Sequence, residues 1–239
     1  MAVLYLGIMK NQNCFLKSAV GFIQLKLFVE LFSYTIMISF IGEWNKIFCI
    51  FLKIFIIKIE FYIFTLRDLK LDNILLDSRG NAKICDFGLC CKLSPNDKLK
   101  ICCGTPQYVA PEMINCDYDH SVDYWTLGID VFCMLAGEFP FNEDKTGINL
   151  TLAKSICSDY VPNINEIRRK KDQEIEEISK DACDFVNKLL NKIADERLGS
   201  RKNSENIKEH SFFSKINWTQ LENGGLESPF KPDVTFFNF

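Results

Sequence analysis

Three short stretches decide how this chain reads: LRDLKLDNILLD at residues 66–77, CDFG at 85–88 and GTPQYVAPE at 104–112. Asp68 and Asn73 stand five apart, a spacing that lets one loop present a carboxylate to a hydroxyl and an amide to a metal. Asp86 follows on the next hairpin. Any one of these motifs alone is commonly a solvated turn. Three of them with the right members, order and spacing point to a shared chemistry.

Taken together the motifs resemble the catalytic segment of the serine/threonine protein kinases of the AGC group, most closely the protein kinase C branch. Lys70-Leu71-Asp72-Asn73, the Lys83-Ile84-Cys85 lead into Asp86, and Gly104-Thr105-Pro106 carry the likeness, which covers about residues 63–232. It implies an α+β, protein kinase-like fold, mainly its helical C-terminal lobe. The reaction implied is transfer of the γ-phosphoryl group of ATP, held with Mg2+, to Ser or Thr of a protein substrate.

The same resemblance assigns roles. Asp68 would accept or orient the proton of the acceptor hydroxyl, and Lys70 would set a positive charge beside the transferred group. Asn73 and Asp86 would hold Mg2+ and through it ATP. Thr105 would bond Asp68 and Lys70 to fix their geometry. Three structural relationships are implied as well: Arg67 takes an activation-segment phosphate, Asp123 bonds the backbone of the catalytic loop, and Glu112 pairs with Arg197. Asp72 sits where the family often has an acid that selects basic substrates; a solvated loop carboxylate reads as well there.

The chain departs from the family pattern in several places. Residues 1–62 hold no GxGxxG and no V-A-I-K-like strand, the parts that cover and grip the phosphates in the family. Counted back from Gly104, the position of the phosphorylated Thr is Ile101. The only hydroxyl between Gly88 and Gly104 is that of Ser94. Cys133 stands where many AGC kinases have a Glu that contacts a substrate arginine, and Leu66 replaces a Tyr or His. Two functions therefore stay open: a serine/threonine kinase, or a catalytically dead kinase-fold module that binds partners or a truncated fragment without activity.

Local patterns fill in the rest. Asp77 to Asn81 predicts a tight hairpin turn, with Ala82 to Cys85 returning as a strand and Tyr62 to Leu66 forming another. Phe87 is expected to pack beneath Asp86. Ser121 to Ala136 is apolar on nearly every face, predicting a buried central helix ended by Gly137. Arg168-Arg169-Lys170-Lys171 followed by acids reads as a solvated charge run. Ser179 predicts an N-cap for a helix that buries Ala182, Phe185, Val186, Leu189 and Leu190.

Composition bounds the remainder. The 239 residues carry a net charge of −3, which gives no reason to expect nucleic acid. Eleven cysteines without CxxC spacing, and two His far from any cysteine pair, predict reduced thiols, a cytoplasmic setting and no cysteine-bound metal. Residues 1–64 contain no Asp, Pro, Arg or His, yet hold ten of the 21 Phe. The segment 1–62 is read as unrelated sequence in place of the upper lobe, as an alternative start or a mistaken gene model would leave it. Its longest uncharged run, Leu31 to Gly42, is shorter than the roughly 20 residues a spanning helix needs, so membrane association through residues 1–60 is the minor reading. The expected division is 1–62, a C-lobe at 63–213 and a partial AGC tail at 214–239, in a monomer. The closing Phe236-Phe237-Asn238-Phe239 is taken as a coincidental likeness to the family's hydrophobic motif.

Overall fold

The computed structural model describes residues 64–94, 96–141, 150–158, 160–171, 176–203 and 205–226. The apolar segment 1–62 and the tail from residue 227 lie outside them, and so do the expectations placed on an unrelated upper segment, a membrane anchor and the Phe-rich end. Among the described residues no helix is long and apolar enough to cross a membrane.

Among the described residues four short strands come first: β1 (Phe64–Thr65), β2 (Ile74–Leu76), β3 (Ala82–Ile84) and β4 (Cys91–Lys92). The helices that follow are α1 (Pro111–Ile114), α2 (Val122–Ala136), α3 (Leu150–Cys157), α4 (Ile164–Lys171), α5 (Lys180–Leu189) and α6 (Trp218–Glu222). Two compact units result. Of the described residues, the smaller holds 71–85 and 216–226, and the larger holds 64–70 and those between 86 and 215.

In the smaller unit β2 and β3 pair antiparallel, with Ile74 opposite Ile84 and Leu76 opposite Ala82. Asp77 makes their turn. Its Oδ1 accepts from the amides of Arg79 and Asn81 at 2.9 and 2.8 Å, so the side chain supplies the backbone bonds that a tight reversal leaves open. Gly80 takes the left-handed conformation, φ 80°, that the turn requires.

The larger unit is built on α2, in which all fifteen residues are buried. A helix apolar on every side must be enclosed, and α4 and α5 pack against it. Gly128 permits the close crossing with α5. A Cβ there would lie 2.9 Å from both the Leu189 Cβ and the Leu190 Cδ2. Gly137 ends α2 in the left-handed region, φ 70°, donating its amide to the Cys133 carbonyl at 2.8 Å. On α5 the Ser179 hydroxyl accepts from the Ala182 amide at 3.3 Å, and Ala182, Phe185, Val186 and Leu189 are buried. Phe185 joins Phe212 and Phe213 in an aromatic cluster with ring centroids 5.3 and 5.0 Å away. Burying each such side chain contributes about 1.5–3 kcal/mol, so this cluster fixes where α5 lies.

The basic run is solvated at Arg169, Lys170 and Lys171, as expected, but not at Arg168. Arg168 is buried and donates from Nη1 to the Leu135 carbonyl at 2.9 Å. Lys171 donates to the carbonyls of Ala136 and Gly137, both at 3.1 Å, and pairs with Glu138 at 3.0 Å. These are the last carbonyls of α2, which have no partner within the helix and carry its negative dipole end. Two cations brought by α4 therefore cap the central helix.

Candidate active site

The catalytic loop is held from below by α2. Asp123, buried in the first turn of that helix, accepts the amide of Leu66 at 2.8 Å through Oδ2 and that of Arg67 at 3.0 Å through Oδ1. Arg67 sits at φ 65°, a conformation unfavourable for a long side chain, and these bonds hold it there. On the other side β1 pairs antiparallel with β4, with Thr65 opposite Cys91. The loop leaves this anchor pointing at Gly104.

There three side chains close a network. Lys70 Nζ donates to Asp68 Oδ2 at 2.9 Å and to Thr105 Oγ1 at 2.7 Å. The Thr105 hydroxyl and amide both donate to Asp68 Oδ1, at 2.7 and 3.0 Å. The Asp68 carboxylate is thus held at both oxygens, and a fixed orientation is what a proton acceptor needs. Its side chain keeps 15% of its surface accessible, so an incoming hydroxyl can reach it. Gly104 makes the approach possible: its φ is 100°, and a Cβ would fall 2.6 Å from the Arg67 carbonyl oxygen.

Asp86 is also left-handed, at φ 58°, and its Oδ1 accepts from the Gly88 amide at 3.1 Å. Asp tolerates that region better than most residues. Phe87 differs from the expectation. It is 47% exposed, because the described residues around it do not enclose the ring. Asn73 belongs to the smaller unit, where it is buried and its carbonyl accepts from the Cys85 amide at 2.8 Å. Asp72 is exposed on the same turn.

Below the site, Arg197 is fully buried and donates from Nη1 and Nη2 to the two oxygens of Glu112 at 2.5 and 3.0 Å. It also donates to the carbonyls of Ser121 and Asn191, both at 3.0 Å, and its guanidinium lies over the Trp125 ring. Cys133 is buried, and that burial, with Asp130 and Glu138 nearby, pushes its thiol far above the ordinary range. It stays neutral and cannot pair with a cation.

Between Gly88 and Gly104 the chain is held by contacts that no single motif announces. Lys98-Leu99-Lys100 runs antiparallel to Asp117-Tyr118-Asp119, with Leu99 and Tyr118 exchanging both backbone bonds at 2.7 and 3.2 Å. Lys98 pairs with Asp119 at 2.6 Å, and Lys100 pairs with Asp117. Tyr118 is fully buried and donates its hydroxyl to the Ile101 carbonyl at 2.6 Å. Ile101 itself is 69% exposed. Tyr118 does not stand out in the sequence. The signal for it is the two Lys-x-Lys and Asp-x-Asp triplets, whose charges match across an antiparallel register.

Residues 62–213 match the protein kinase domain family. The chain is 38% identical over 170 residues to protein kinase C of Drosophila melanogaster, covering 70% of this chain and 21% of that protein. It is 39% identical over 175 residues to protein kinase C zeta type of Oryctolagus cuniculus, covering 71% and 28%. It is 39% identical over 172 residues to serine/threonine-protein kinase Sgk2 of Homo sapiens, covering 71% and 43%. The chain therefore spans less than half the length of these curated relatives.

Proposed function

Because this chain belongs to the protein kinase domain family, we propose that its Leu66–Glu112 segment is the substrate-side half of a serine/threonine kinase site. The observation that carries the reading is the closed network of Asp68, Lys70 and Thr105. A carboxylate fixed at both oxygens beside an ammonium is suited to taking a proton from a hydroxyl while a negative group is transferred nearby.

ATP bound with Mg2+ would supply the phosphoryl group and the positive charge that offsets its oxygens. Asp86 and Asn73 each carry a hard oxygen donor, a carboxylate and an amide, of the kind Mg2+ takes, and they are the residues that would hold it. Asp68 accepts the proton of the acceptor Ser or Thr. Lys70 would set its ammonium group beside the transferred group, and Thr105 holds both in register. Arg67 and Asp123 support the loop, and Glu112 with Arg197 fixes the floor beneath it. Because Cys133 is neutral and buried, an acceptor rich in arginine finds no counter-charge there.

A second reading has its own observation. Residues 1–62 hold neither a GxGxxG run nor a V-A-I-K-like strand, which favours a kinase-fold module that binds partners without phosphoryl transfer. Incubating the full chain with γ-labelled ATP and a serine- and threonine-rich protein, beside its Asp68→Asn variant, separates the two. The kinase reading expects labelling to fall by about 100-fold or more in the variant. Equal labelling, or none from either, leaves the binding module.

A further inference from the structure

The geometry points to Tyr118 as the positioning residue that holds the activation segment in place beside Arg67 without a phosphate, an inference that rests on reading Leu66–Glu112 as a phosphoryl-transfer site. Kinases with an activation-segment phosphate use its charge to engage an arginine and order the loop. Here the aligned position is Ile101, whose side chain points to solvent and cannot carry a phosphate.

The arginine is occupied all the same. Arg67 Nε donates to the Leu89 carbonyl at 2.6 Å, at the start of the segment. The Tyr118 phenol lies beside the Arg67 side chain. A phenol has one proton to give. That proton goes to the Ile101 carbonyl at 2.6 Å, near the segment's end. The Cys103 thiol, two residues further on, lies 3.7 Å from the same hydroxyl. Both of these partners belong to the activation segment.

The backbone around Tyr118 reinforces the tie. Its exchange of bonds with Leu99 and the flanking Lys98–Asp119 and Lys100–Asp117 pairs form a short two-strand clasp. Burial, followed by the contact with Cys103 and opposed by Arg67, pushes the phenol up to about 12, so it stays protonated and able to donate. A neutral, permanent hydroxyl thus holds the segment that the family holds through a reversible charge. The segment is set by folding instead of by an upstream kinase.

Amide hydrogen exchange over residues 96–103 of the unphosphorylated full chain tests this without requiring catalysis, so failure of the kinase reading and failure of this one are distinguishable. Tyr118→Phe keeps the ring and removes the hydroxyl with its bonds to Ile101 and Cys103. It should speed exchange of the Leu99 amide by about tenfold, the effect of losing a buried hydrogen bond. Ile101→Glu places a carboxylate where a phosphate would sit. It should leave exchange unchanged in the native chain, where Tyr118 already holds the segment, and restore protection in the Tyr118→Phe background. Unchanged exchange in Tyr118→Phe overturns the inference, as does an Ile101→Glu effect equal in both backgrounds. If Tyr118→Phe loses its cooperative thermal transition, the single Ile101→Glu variant decides: slower exchange than the native chain overturns the proposal, and no change supports it.

Discussion

Arg197, with no exposed surface, grips both carboxylate oxygens of Glu112 across 85 residues of sequence. The pair joins the end of the Gly104–Glu112 motif to the segment that follows α5. A fork-to-carboxylate bond is directional as well as strong, so it fixes the site's floor in orientation as well as position.

Removing one partner leaves the other uncompensated. Glu112→Gln strands a buried guanidinium and should cost about 3–5 kcal/mol in urea unfolding. Adding Arg197→Met to that variant should recover part of the loss, because the charge is gone from both sides. Two costs that simply add would show that the pair is no unit.

Asp123 bears a different load. Its carboxylate accepts two backbone amides, one of them from the left-handed Arg67. Asp123→Asn keeps the size and replaces one acceptor oxygen with a donor facing an N–H. The expected loss is about 1.5–3 kcal/mol, the worth of hydrogen bonds to a charged group. Exchange of the Arg67 amide should quicken with it. A stable variant with an unchanged Arg67 amide would mean that the loop is held elsewhere.

How much of this is legible in one dimension depends on how local the cause is. Asp68 and Lys70 act two positions apart in one motif, Thr105 is legible because its own short motif accompanies theirs although it lies 37 and 35 positions on, and the buried helix α2 shows as an apolar run with no polar face. Ser179 and Gly137 announce themselves because capping chemistry is confined to one turn. Arg168 and Lys171 cannot be read this way. A run of cations followed by acids looks solvated until folding sets it against the end of another helix. Tyr118 is hidden for a similar reason, since its partners Cys103, Ile101 and Leu99 lie 15 to 19 positions away in sequence. Phe87 shows the opposite error, where a motif habit outruns the surroundings available to enclose the ring.

The cap on α2 gives a graded prediction. Arg168→Met leaves the buried Leu135 carbonyl without its donor and should cost about 1–3 kcal/mol. Lys171→Ala removes a half-exposed cation from the same helix end and should cost only about 0.3–1 kcal/mol, less at high salt. Chemical denaturation at two ionic strengths measures both. A larger, salt-insensitive loss at Lys171 would contradict a dipole-and-carbonyl role.

Acid should weaken the protein in two separate windows. Burial, only partly offset by Asp119, pushes His120 below its ordinary value of 6.5, so the folded state holds the neutral ring and the unfolded chain binds the extra proton. Its contribution is full above pH 6.5 and shrinks as pH falls below that. Asp119 works against a burial cost, but bonds from Lys98 and Ser121 hold its carboxyl well below the ordinary 3.8. A depressed carboxyl stabilises above its unfolded value, so this share persists near pH 5 and is lost only as pH falls below about 3.8. Asp77, held down by Asn81 and Arg79, shares the second window. Urea unfolding from pH 8 to pH 3 should therefore lose stability in two steps. His120→Asn should flatten the first and leave the second. Asp119→Asn should flatten part of the second and loosen the Lys98 side of the clasp at neutral pH. A single step that neither variant alters would show that other groups govern the acid response.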